Sequence, residues 1–305
     1  MRYLITGANG FVGRYFIEYL KEHEKDAIIY GADISENSLT SYIEYLQIDL
    51  NDRFAVYRML EKIKPDYIVH LAAMSSVAQS WQDPAKCFLN NTSVFLNIAD
   101  GVRELNIKCR ILSVGSSEEY GIYEEPMKEN FVLHPKSPYS IARLSQEYLS
   151  KLYVDYFKLD IVMTRSFNHI GPRQNPKFVI PSFVHQLVKI SKGKQEDIKV
   201  GNIDVIRDFL DVRDVVDAYY KILKNSKTRE VYNVCSGNGY KLRDIIDIVS
   251  KYLNITPKII VEKKLLRANE IISVIGDNTK LKTMLDWKPK YNLKITLKDM
   301  IEEYQ

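Results

Sequence analysis

A chain of 305 residues, 46% hydrophobic and 27% charged, is long enough for one large domain or two modest ones and has ample apolar surface for a core. That balance excludes a disordered chain. The net charge of +4 is small for this length, so it argues against nucleic acid and for at most a local basic patch facing a phosphorylated ligand.

From Met1 the chain runs through Tyr3-Leu4-Ile5-Thr6 straight into Gly7, a strand and a glycine turn, which predicts no signal peptide. No stretch reaches the roughly 20 apolar residues of a membrane span. Cys87, Cys109 and Cys235 are scattered without CxxC spacing, which predicts free thiols in a reducing cytoplasm and no metal site. Strands are expected at 3–6, 27–30, 67–70, 110–113 and 161–163, and helices at 11–23, 54–63, 88–104 and 140–157. Strand-helix alternation of this kind predicts a parallel sheet covered on both faces.

After about residue 170 the rhythm changes. Pro172, Pro176 and Pro181 precede a helix near 180–193, a strand-helix passage over 208–223, a strand at 231–234 and a helix-rich tail to Gln305. The reading is an α/β protein. It has a Rossmann-type doubly wound parallel sheet over 1–165, with returning segments near 205–235, and a smaller, interleaved C-terminal substrate domain over 166–305. The ligand crevice is expected at the carboxyl ends of the strands.

Gly7-Ala8-Asn9-Gly10-Phe11-Val12-Gly13 lies between the first strand and the first helix with GxxGxxG spacing. Gly7 permits the tight turn, Gly10 lets the backbone approach a pyrophosphate, and Gly13 lets helix pack on strand, with Phe11 and Val12 opening the helix. Asp33 ends the second strand 20 residues after Gly13. A carboxylate there accepts both adenosine ribose hydroxyls and repels a 2′-phosphate, so it favours NAD over NADP; the other reading is a turn aspartate. Asp49, Leu50 and the run His70-Leu71-Ala72-Ala73 are expected along the adenine and phosphate edges. His70 itself is read as a core histidine.

The glycine turn, His70-Leu71-Ala72-Ala73, Asn91 with Asn97, the run from Ser113 to Gly121 and Ser137-Pro138-Tyr139 together resemble an extended short-chain dehydrogenase over nearly the whole chain. The resemblance implies that Tyr139, a basic residue four positions on and Ser116 carry hydride chemistry, with Asn91 beside the cofactor. Tyr139 and Arg143 do lie one helical turn apart, and a fixed cation there favours the tyrosinate. A Tyr-Arg pair at this spacing is also common on helix surfaces. The family pattern is YxxxK; here it is YxxxR. Arg143 keeps the charge but presents a planar fork that cannot deprotonate. Restoring lysine at this position is expected to keep activity.

In 4,6-dehydratases a glutamate at the position of Glu118 removes the C5 proton, whereas reductases carry a similar SSEEYG run without eliminating water. Ser117 is expected at the substrate. Arg165 to Gln174, with Asn168 and Arg173, resembles the segment that holds the nucleotide diphosphate. Arg207-Asp208-Phe209 resembles an RDF motif whose guanidinium grips phosphate. Leu265 to Glu270 resembles an RxxE element, with Arg267 on phosphate and Glu270 on ribose. NHIGPRQ and the GNxxxxRDF run look nearest to GDP-mannose 4,6-dehydratases and GDP-4-keto-6-deoxymannose reductases. The resemblance implies NAD-dependent hydride transfer at C4 of a GDP-sugar, a manno-configured hexose or heptose, in surface-glycan synthesis. A homodimer through the helices near 88–104 and 140–157 is implied too.

Overall fold

Strand β1 (Arg2–Thr6) is buried from Tyr3 onward and leads through the glycine turn into helix α1 (Phe11–His23), whose Phe16, Ile17 and Leu20 face the sheet. The structure, a computed structural model, describes residues 1–266 and 271–304. The chain continues through β2 (Ile28–Asp33), β3 (Glu44–Gln47), α2 (Arg53–Ile63), β4 (Tyr67–His70), α3 (Val77–Gln82) and α4 (Pro84–Glu104). Strand β5 (Arg110–Ser116) ends in a single 3₁₀ turn over Ser117–Glu119, followed by α5 (Pro138–Phe157) and β6 (Asp160–Ser166). Next come β7 (Asn168–Ile170), α6 (Val179–Ser191), β8 (Asp197–Val200), β9 (Ile206–Asp211), α7 (Val212–Asn225) and β10 (Val231–Val234). The remainder is β11 (Gly239–Lys241), α8 (Leu242–Leu253), β12 (Lys258–Val261), β13 (Ser273–Val274), α9 (Thr279–Leu285) and α10 (Leu293–Tyr304).

Seven strands form one parallel sheet in the order β10-β6-β5-β4-β1-β2-β3. The order reverses between β1 and β4, the kind of switch point at whose carboxyl ends open parallel sheets bind ligands. Apolar cores cover both faces. One packs α1 and α7 on the sheet through Phe16, Tyr219 and Trp287, the other packs α2, α4 and α5 through Leu60, Phe95 and Tyr153. A third core, built from α6, α8, α10, β8 and β9 through Phe183, Ile246 and Leu297, belongs to the smaller part of the molecule. There β9 pairs with β7, β11 and β13, and β8 with β12.

The helices begin where their caps place them. Helix α4 starts at Pro84 rather than near 88, because Asp83 accepts from Lys86 N at 3.0 Å and Pro84 fits the first turn. Helix α5 starts at Pro138 for the same reason: Ser137 Oγ accepts from Ser140 N at 3.1 Å, and Ser137 N donates back to Ser140 Oγ at 2.8 Å. Such a cap contributes about 1 kcal/mol, and it fixes the helical phase of Tyr139. The short strands β3, β7, β8, β11, β12 and β13 have too few residues for a periodic signal and exist through their partners.

Candidate active site

Gly7 takes φ +70°, the left-handed region, and a Cβ on it would stand 3.0 Å from Ala72 N. A Cβ on Gly10 would meet Gly7 O at 2.9 Å, and one on Gly13 would meet the same oxygen at 2.4 Å. Backbone cannot yield, so the turn itself demands all three glycines. Gly10 is the N-cap of α1 and brings no side chain to it, which leaves the first helical N–H groups for an anion. Phe11 and Val12 follow, half-buried. This cradle fits the pyrophosphate of a dinucleotide.

Asp33 stands at the end of β2 with Oδ2 accepting from Asn9 N at 3.0 Å and Oδ1 accepting from Ser35 N at 3.1 Å. It therefore also braces the glycine turn, as a turn aspartate does. Asp49 Oδ1 accepts from Asn51 N at 2.9 Å, and the carbonyl of buried Leu50 accepts from Asn97 Nδ2 at 2.9 Å. Leu71, Ala72 and Ala73 leave β4 half-buried, with Thr6 Oγ1 accepting from the amides of Leu71 and Ala72 at 3.2 Å. Asn91 is fully buried on α4 and grips the backbone of Met74, accepting from its N at 2.8 Å and donating to its O at 3.1 Å. In this structure Asn91 thus holds the loop that follows Ala73. His70 is a core histidine as read, bonded to Thr6 at 3.0 Å; burial, with the Arg143 charge adding, pushes its pKa down to about 3.

Tyr139 and Arg143 share the face of α5 that packs on β5, together with Ala142, Gln146, Glu147, Ser150 and Tyr153. Arg143 Nε donates to Tyr139 Oη at 3.2 Å. Ser116 is the last residue of β5, where its hydroxyl accepts from Glu118 N at 3.3 Å and its amide donates to Glu119 Oε1 at 2.7 Å. The 3₁₀ turn buries Ser117 and leaves Glu118 half-exposed. A phenol with a guanidinium on it can move a proton at a substrate oxygen, and a strand-end hydroxyl can hold that oxygen.

Beneath the turn lies a buried ionic group that sequence reading missed. Arg165 on β6 is bidentate to Glu147 at 2.8 Å on both nitrogens, and Glu119 Oε2 stands 3.9 Å away. Burial first, and the Glu147 charge second, push the Glu119 carboxyl well above the usual range. A glutamate four residues after Arg143, on the same apolar-facing stripe of α5, was the available signal.

In the smaller part, Asn168 on β7 donates to Asp208 O at 3.1 Å. Arg207 on β9 donates from Nη1 to Ile206 O at 2.8 Å, and Asp208 accepts from Ser236 N at 2.8 Å and Gly237 N at 2.9 Å. Arg173 pairs its fork with Glu18 at 2.6 and 2.7 Å and lies 4.1 Å over the Tyr15 ring, so it ties α1 to the loop after β7. Arg267 and Glu270 lie outside the described residues. Among those described, no cluster of His, Cys, Asp or Glu could hold a metal, and no helix is long and apolar enough to cross a membrane.

Comparison with known proteins fits this geometry. The sequence profile described as GDP-mannose 4,6 dehydratase matches residues 4–300. A GDP-6-deoxy-D-mannose reductase from Pseudomonas aeruginosa is 30% identical, the match covering all of this chain and 97% of that one. A GDP-6-deoxy-D-talose 4-dehydrogenase from Aggregatibacter actinomycetemcomitans is 31% identical over 93% of this chain and 91% of its own. The solved structure of RMD from Pseudomonas aeruginosa complexed with NADPH superposes with a TM-score of 0.88 at 29% identity, covering 99% of this chain and 98% of that one. The glycine cradle, the strand-end serine and the Tyr139–Arg143 pair are therefore parts of an enzyme, and the chain belongs to the GDP-mannose 4,6-dehydratase family of nicotinamide-dependent, short-chain-dehydrogenase-type proteins.

Proposed function

We propose that the protein transfers hydride at C4 of a GDP-sugar with NAD(H), in synthesis of a surface-glycan sugar. The observation that carries this reading is the buried Tyr139–Arg143 contact of 3.2 Å on the helix packed against β5, which ends in Ser116. Gly7, Gly10, Gly13, Asp33, Asp49, Leu50, the 71–73 run, Tyr139 and Arg143 would hold the dinucleotide, with Asn91 acting through the loop it grips. The nicotinamide, when bound, accepts or returns the hydride. Tyr139 takes the proton of the C4 hydroxyl in oxidation or gives it back in reduction, and Ser116 hydrogen-bonds that oxygen. Arg207 and Asn168 are assigned to the diphosphate, with Arg267 and Glu270 on phosphate and ribose. The names of both curated relatives support a GDP-sugar. Asp33 supports NAD, although the solved relative holds NADPH. A homodimer is supported by the apolar side chains Leu89, Ile141, Tyr148, Leu152 and Tyr156, which α4 and α5 leave exposed.

Glu118 favours a second reading. It is half-exposed two residues after Ser116, where a carboxylate would serve as the C5 base of a 4,6-dehydratase. The two part on mass balance. A C4 oxidoreductase consumes or forms one nicotinamide equivalent per sugar, and its single-turnover rate survives Glu118→Gln. Mass spectrometry finding a product lighter by one water, with no net change at 340 nm, would replace the first reading by the second. The cofactor assignment is checked by calorimetry: NAD(H) binds more tightly than NADP(H), and Asp33→Ala narrows the gap.

A further inference from the structure

Arginine stands where the family pattern has lysine, and the residues around it are arranged for a fork. Arg143, Gln146 and Ser150 fall at i, i+3 and i+7 of α5, all buried against Ser113 and Val114 of β5. Arg143 Nη1 donates to Val114 O at 3.0 Å and to Gln146 Oε1 at 2.9 Å, while Nε donates to Tyr139 Oη. Gln146 Nε2 in turn donates to Ser113 Oγ at 2.9 Å and lies 3.3 Å from Val114 O. Ser113 and Ser150 hydroxyls are 3.0 Å apart, and Ser150 Oγ donates to Gln146 O at 2.8 Å.

These bonds leave the Gln146 amide one orientation. Ser150 shares its one proton between Ser113 Oγ and Gln146 O, and the Gln146 amide donates to Ser113 Oγ. Turned over, the amide would set NH₂ against the Arg143 Nη1 donor and its oxygen against the Val114 carbonyl. Buried hydrogen-bonded networks of this kind are rigid. One edge of the fork is thereby clamped, and the Nε edge is left facing the phenol.

We infer that Gln146, seconded by Ser113, is a positioning residue that fits this site to arginine by holding the guanidinium in register with Tyr139. A lysine head has a single nitrogen and cannot meet Gln146, Val114 O and Tyr139 from separate edges. Arg143→Lys is therefore expected to lose activity, contrary to what the family pattern suggests. The inference rests on the proposed role of Tyr139 as acid/base.

A double-mutant cycle over Arg143→Lys and Gln146→Leu tests it, with the GDP-hexose that the wild type turns over fastest. Gln146→Leu is expected to slow single-turnover hydride transfer about tenfold or more beside Arg143, but by less than about threefold in the Arg143→Lys background. The loss should lie in kcat, with KM for the GDP-sugar unchanged. Equal factors in the two backgrounds, or a loss confined to KM, overturn the inference. The same cycle on the cofactor dissociation constant covers an Arg143→Lys protein too slow to assay, with equal factors again overturning it. Should Gln146→Leu not fold, Ser113→Ala takes its place in both cycles with a smaller expected effect and the same criterion. Tyr139→Phe run alongside separates the failures. Undiminished hydride transfer there removes the proposed function itself, whereas loss there with equal Gln146 factors removes only the positioning role.

Discussion

The two ends of the proposed site are built differently. At the end assigned to catalysis, Ser116, Tyr139 and Arg143 sit on a central strand and a capped helix, buried, with the fork of Arg143 shared among Tyr139, Val114 and Gln146. At the end assigned to the nucleotide, Asn168 and Arg207 ride on β7 and β9 of a small sheet; Asn168 is exposed and Arg207 half-buried. Under the proposed function the difference suits the work of each end. Proton and hydride movement needs geometry held to a fraction of an ångström, which packed elements supply. Recognition of a nucleotide diphosphate needs cations that water can reach before the ligand does.

That contrast predicts separable losses. Tyr139→Phe should have the largest effect, lowering hydride transfer by roughly 10²-fold or more, the scale of general acid–base catalysis, with GDP affinity retained. Stopped-flow absorbance with calorimetry reads both, and a matching fall in GDP affinity would merge the two ends. Arg207→Ala should do the reverse, weakening GDP binding by about 2–3 kcal/mol while cofactor affinity holds. Unchanged GDP affinity, or UDP bound better than GDP, contradicts it.

The smallest effect compares two buried histidines, one at each end. Burial pushes His169 down from 6.5 to about 4, and burial with the Arg143 charge pushes His70 down from 6.5 to about 3. Below pH 6.5 the unfolded chain gains protons on these rings that the folded chain refuses, so stability falls as pH drops toward these lowered values and is flat above pH 7. Each ring accounts for about 2 kcal/mol lost between pH 7 and pH 5. His70→Gln should remove its share from that acid limb, as urea unfolding at the two pH values would show. An unaltered loss means that His70 is not held neutral.

Much of the local structure around the proposed catalytic residues was legible in the sequence. The glycine spacing marked the β1–α1 turn, because no Cβ fits against Gly7 O or Ala72. Helix 11–23 followed from amphipathic periodicity and the strand cores from short apolar runs, while Tyr139 and Arg143 were singled out by the family resemblance, with which their i, i+4 spacing agrees. The Arg173–Glu18 pair was not legible, since a loop arginine near glycine and proline reads the same whatever carboxylate the fold brings to it. The Arg165–Glu147–Glu119 group escaped notice because its members come from three elements with no shared spacing.

The sequence by itself determined the strand-helix alternation, the glycine turn and the phase of α5, all of which depend on contacts within a few residues along the chain. Only the tertiary structure decided what each polar side chain does once buried. Gln146 gains its meaning from Ser113 and Val114, more than 30 residues earlier. Asn91 turns to the Met74 backbone, and Arg173 to a helix 155 residues away. A buried donor must find its acceptor wherever the fold brings one, and the order of residues along the chain does not encode that meeting locally.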